Sequence, residues 1–178
     1  MNYNEVVGEL KVKGCKRILV TGAHRSGTTF TGYALAGELG ILFYGEENIR
    51  GGNQLLLDAF HSSHRQYVLQ APGYSERCHL FPFDAVVFVN RNTADVNESM
   101  KDLSDRLIQA QYQRTLSLLG QKASNLTLPE LKLKAFKNIQ SKQISNAFIL
   151  EYESWKDHPN WIPYEERENF TLRQITKK

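Results

Sequence analysis

A chain of 178 residues, 41% hydrophobic and 23% charged, has the size and balance of one soluble globular domain burying about 70% of its unfolded surface. Its net charge of +3 and pI near 8.8 are too modest for a nucleic-acid-binding coat but suit an anionic ligand. Two distant cysteines, Cys15 and Cys78, exclude a disulfide framework, and no apolar run is long enough to cross a bilayer, so a cytoplasmic protein is expected.

Residues 1–16 read as a polar, Lys-containing lead-in with little structure; its start, Met1-Asn2-Tyr3-Asn4-Glu5, is not a signal peptide. A β-branched apolar run predicts a first strand over 17–21, followed by a helix over 27–39 that ends near Gly40. Ile41 to Tyr44 predicts a second short strand, leading into Gly45-Glu46-Glu47-Asn48 and a Gly51-Gly52 loop. Leu55, Leu56, Leu57 and Phe60 give a helical apolar face, and Tyr67 to Gln70 a third strand stopped by Ala71-Pro72-Gly73. Ala85 to Val89 is a continuous apolar run, as expected for a central parallel strand. After Arg91 the spacing of Val96, Met100, Leu103, Leu107 and Ala110 predicts one long helix, with Asn92 as its N-cap and Asp95 near the positive end of its dipole. Pro129 opens another helix, whose Lys132, Lys134, Lys137 and Lys142 read as a solvated face. A last strand is expected over 147–152, and Trp155, Trp161 and Tyr164 read as packing residues of the tail. Strands alternating with helices predict an α/β domain over 1–178 with a central parallel sheet covered on both faces.

Between the first strand and the first long helix runs Gly22-Ala23-His24-Arg25-Ser26-Gly27-Thr28-Thr29. A strand, a glycine-bounded loop and a helix N-terminus make an anion cradle, because backbone N–H groups turn inward and the helix adds unpaired donors. The spacing Gly-x4-Gly-x-Thr is that of a Walker A loop, yet Thr28 stands where the phosphate-binding Lys belongs and Arg25 is the loop's cation. Ligands of parallel sheets sit beyond the carboxyl ends of the strands, so Glu47, Gln70 and Arg91 are expected to converge on Arg25. Where a nucleoside triphosphatase carries its Mg²⁺-binding Asp, this chain has Asn90-Arg91, which argues against ordinary phosphoryl transfer. A sulfuryl group carries less negative charge and needs only hydrogen-bond donors and one or two cations. Arg91 and Ser99, eight residues apart, could clamp a second phosphate.

Arg25-Ser26-Gly27-Thr28-Thr29, followed by an apolar strand, Arg91 and Ser99, resembles the sulfotransferase family, closest to its tyrosylprotein and carbohydrate branches. The resemblance implies that His24, Arg25, Ser26, Gly27, Thr28 and Thr29 hold the 5′-phosphosulfate of 3′-phosphoadenosine 5′-phosphosulfate (PAPS). Arg91 and Ser99 would bind its 3′-phosphate, with 3′,5′-ADP as product and no metal. Gly45-Glu46-Glu47-Asn48 is similar to a Gly-Glu-Glu segment whose second Glu is the general base, which maps to Glu47. Gln70-Ala71-Pro72 aligns with a Lys-x-Pro element whose Lys stabilises the transferring sulfate, and Tyr152-Glu153 resembles a late Tyr-Glu motif. Asn92-Thr93 departs from the usual pair after the Arg. The implied catalytic set is Glu47, Arg25 and Gln70. The acceptor is a hydroxyl on a carbohydrate, a peptide tyrosine or a small molecule, with no nucleic-acid partner. His61 and His64 read as surface or core residues rather than metal ligands, and Arg167 and Arg173 as surface cations. Two other readings stay open: a P-loop small-molecule kinase or nucleotide hydrolase, and a catalytically inactive 3′,5′-ADP-binding module.

Overall fold

A computed structural model describes residues 1–49, 61–62, 66–101, 103–159 and 161. The Gly51-Gly52 loop, the apolar face from Leu55 to Phe60, His64, Tyr164, Arg167 and Arg173 lie outside the described residues.

Five parallel strands form the central sheet: β1 (Arg17–Gly22), β2 (Leu42–Tyr44), β3 (Tyr67–Gln70), β4 (Ala85–Asn90) and β5 (Ala147–Glu151), in the order β2-β3-β1-β4-β5. Helices α1 (Tyr3–Val12), α2 (Thr28–Leu39), α3 (Thr93–Met100), α4 (Asp105–Leu118) and α5 (Leu128–Gln143) are joined to the strands by short 3₁₀ turns and loops. The result is an α/β fold with helices flanking both faces of the sheet, as the alternation of apolar runs predicts. Strand side chains alternate between faces, so Ile18 and Val20 of β1 pack with Val6 and Leu10 of α1 and Leu35 of α2, whereas Leu19 packs on the side of Phe136 from α5. Burying each such Leu, Ile or Phe contributes roughly 1.5–3 kcal/mol, which makes this two-sided core the main stabilising element. A smaller cluster of Ala23, Val96, Met100 and Leu128 ties the loop after β1 to α3 and α5. Among the described residues, no helix is long and apolar enough to cross a membrane.

Three sequence expectations are corrected. The lead-in is a helix: Asn2 accepts from the Glu5 amide and the Glu5 carboxylate accepts from the Asn2 amide, a reciprocal cap that starts α1. Val6, Val7 and Leu10 then bury one face of it. The long helix after Arg91 is two helices, because the Ser104 hydroxyl caps Leu107 and restarts the chain as α4. Lys132 is not solvated. It falls on the buried stripe Leu128, Leu131, Ala135 and Phe136 and is fully buried beside Glu76. Trp155 is core, as expected, stacked on Tyr3 at 4.7 Å and donating from Nε1 to Thr31 Oγ1 at 3.1 Å.

Candidate functional site

The loop at the carboxyl end of β1 is shaped by close approach and by handedness. At Gly22 a Cβ would stand 2.8 Å from the Val89 carbonyl of the neighbouring strand and 2.9 Å from Ser26 Oγ, so only glycine fits. Arg25 and Gly27 have φ of 65° and 88°, left-handed values on either side of Ser26. Ser26 closes the turn by directing both its amide (3.2 Å) and its hydroxyl (2.8 Å) to the Ala23 carbonyl. Gly27 then caps α2 without a side-chain bond. Among the described residues, the amides of Gly27, Thr28 and Thr29 donate to no protein acceptor. These donors, at the positive end of a 12-residue helix, make the cradle expected for an anion. The Arg25 side chain is exposed beside them.

The parallel register brings the neighbouring strands to the same edge. Val20 pairs with Gln70 and Gly22 with Val89, which sets the ends of β3 and β4 on either side of the loop. Gln70 is buried and its Nε2 donates to Thr28 Oγ1 at 3.1 Å, so the two residues standing in for lysines hold each other. Arg91 donates from Nη1 to the Arg25 carbonyl at 3.2 Å, lies over the Tyr152 ring at 5.2 Å, and stands 4.0 Å from the exposed Asp95 carboxylate. The Tyr152 ring packs so closely on Gly27 that any Cβ there would collide with it. Glu153 accepts from the Asn92 amide at 2.9 Å, and Asn92 caps Ala94 of α3 as expected. Asn90 donates to Glu151 at 2.8 Å, a bond that a carboxylate at position 90 could not make.

Loop, Gln70 and Arg91 therefore come together; Glu47 is placed further out. Glu47 lies in the exposed turn after β2, with β3 between that strand and β1, and its carboxylate folds back on Gly45. Together with burial it pushes up the Tyr33 hydroxyl of α2. Among the described residues, no hydrogen bond or ion pair joins Glu47 to the loop. Its neighbour Glu46 is pushed up by burial and by Glu47, against the pull of Lys132. Ser99 is half-buried in the last turn of α3.

His24 is the loop residue with the most altered environment. It is half-buried, and its Nδ1 lies 3.1 Å from Gln111 Oε1 on α4. Burial, then Lys132 and less so Arg25, push its imidazole down to about 4, against the opposing effects of the Gln111 bond and Glu76. Next to it is a buried polar chain that local sequence does not announce. Thr115 shares its hydroxyl hydrogen between Glu76 Oε1 (2.9 Å) and the Gln111 carbonyl (2.8 Å). Lys132 Nζ stands 3.5 Å from the same Glu76 oxygen and 3.4 Å from the Pro72 carbonyl. Burial pushes Lys132 down while Glu76 supports its charge. The one legible signal was phase, since Lys132 sits in the apolar stripe of α5. No protein-family model matches this chain, and no curated protein matches it.

Proposed function

We propose that the chain is a sulfotransferase that moves a sulfuryl group from PAPS to an acceptor hydroxyl without a metal. The observation that carries this reading is the loop itself: unpaired amides at Gly27, Thr28 and Thr29, flanked by the exposed Arg25 and backed by Arg91. The residues fit such a nucleotide. The amides and Arg25 would hold its 5′-phosphosulfate, with charge-assisted bonds of roughly 1.5–3 kcal/mol each. Arg91, whose contact with exposed Asp95 is a weak surface pair, would give its charge to the 3′-phosphate together with Ser99. When bound, the nucleotide supplies an activated sulfuryl group. Thr28 and Gln70 hold each other in place of cations, which suits the lower charge of sulfuryl over phosphoryl. Asn90, donating to Glu151, is a poor ligand for a hard divalent cation. The family resemblance implies Glu47 as the base and leaves the acceptor open among carbohydrate, peptide tyrosine and small alcohol.

The test is incubation with PAPS, a panel of hydroxyl acceptors and a chelator, reading released 3′,5′-ADP against sulfated acceptor. Equal amounts of both are expected. Transfer from ATP that requires Mg²⁺, with none from PAPS, would contradict the reading.

A further inference from the structure

The resemblance counts His24 among the residues of the phosphosulfate loop, but the amides and Arg25 leave its ring open to a second role. It belongs to the anion loop, next in the chain to Arg25, yet its Nδ1 turns to α4 and the Gln111 amide oxygen. With an oxygen facing it, Nδ1 carries the hydrogen, and the lone pair falls on Nε2. Among the described residues, Nε2 has no hydrogen-bond partner. The charged groups that act on the ring are Lys132 of α5, Glu76 of the turn after β3 and Arg25 of the loop, and its direct partner Gln111 is neutral. Glu76 favours the protonated ring, but burial and the two cations outweigh it and leave the imidazole neutral.

We propose that His24 is the general base that takes the acceptor's proton at Nε2, with Gln111 as the positioning residue that fixes the tautomer. This rests on the sulfuryl-transfer reading. The acceptor oxygen forms its bond to sulfur as the sulfur–oxygen bond to the 5′-phosphate breaks. The bonding pair leaves with 3′,5′-ADP, and the acceptor's proton passes to Nε2. A base must come within about 2.6–3.2 Å of the proton it removes. His24 is part of the loop that would hold the reacting group, whereas Glu47 is turned onto Gly45 beyond β3. A weakly basic ring suffices because the hydroxyl becomes strongly acidic once its oxygen bonds to sulfur.

Two readouts decide the matter. In the free protein, nitrogen-15 spectra of the imidazole should show Nδ1–H and an unprotonated Nε2 at pH 7, with titration near pH 4. An Nε2–H tautomer, or titration near 6.5, would overturn the proposal whether or not the protein transfers sulfate. In the transfer assay, His24→Ala should lose about 10²–10⁴ in kcat and recover part of it with added imidazole. Gln111→Leu should lower kcat without raising the nucleotide KM. Full turnover in His24→Ala, or a loss that imidazole does not restore, would overturn it. Failure of the wild-type protein to bind 3′,5′-ADP would instead sink the sulfotransferase reading, and the nitrogen-15 result would still decide the state of the ring.

Discussion

Arg25 is the residue at which structure and binding pull in opposite directions. A non-glycine residue at φ 65° costs of order 1–3 kcal/mol of backbone strain, which persists only where the surroundings impose it. Arg25→Gly should relieve that strain and leave the melting temperature unchanged or raised. It should also weaken 3′,5′-ADP binding by about tenfold or more through loss of a charge-assisted contact. A thermal scan paired with a binding titration checks both, and equal losses of stability and affinity would contradict this account. Gly27→Ala should do the reverse: the new Cβ meets the Tyr152 ring at a left-handed position, so stability and binding should fall together. His24 ties the same loop to pH. Its folded-state value of about 4 lies below the ordinary 6.5, so the unfolded chain binds more protons between those limits. Stability is thus fully present above pH 6.5 and is lost as pH falls through about 4, by roughly 3 kcal/mol. Asp84 works in the same direction at lower pH. Burial raises its carboxyl, but hydrogen bonds from Arg17 and Lys16 outweigh that and hold it below 3.8. Urea unfolding followed from pH 7 to pH 4 should show the decline, and His24→Asn should flatten it.

At the scale of elements, the buried Glu76–Lys132 pair fastens the turn after β3 to α4 and α5. Removing one charge from a buried pair leaves the other uncompensated and costs about 3–5 kcal/mol, whereas apolar replacement of both is often nearly neutral. Lys132→Met should therefore destabilise strongly in a urea melt, and Lys132→Met with Glu76→Leu should recover most of the loss. Equal instability of single and double variants would contradict this assignment. The pair also shows why part of the site was hidden in the sequence. Lys132, Lys134 and Lys137 are chemically alike, and only helical phase separates the buried one. Glu76, Gln111 and Thr115 meet it only through tertiary packing of three separate segments. The break between α3 and α4 was hidden for a related reason: apolar spacing continues across it, while the Ser104 cap is a local competitor that periodicity does not register. By contrast, the bounds of β3 were legible, since a short apolar run ends at Gln70 before Ala71-Pro72.

For the whole molecule, the parallel sheet decides which residues share one edge. The continuous apolar run at β4 marked a central strand, and the order β2-β3-β1-β4-β5 brings Gln70, Arg91 and Tyr152 to the loop from strands that are distant in sequence. Glu47 sits at the same edge but on the outermost side, and strand periodicity alone does not resolve that difference. The central claim is that this edge binds an adenosine ligand carrying anionic groups at both ends, with no divalent ion needed. Calorimetric titration with 3′,5′-ADP, 5′-AMP and ATP, each with and without Mg²⁺, tests it most directly. The account expects 3′,5′-ADP to bind at least about tenfold more tightly than 5′-AMP, with no effect of Mg²⁺. Binding of ATP alone, and only in the presence of Mg²⁺, would contradict it.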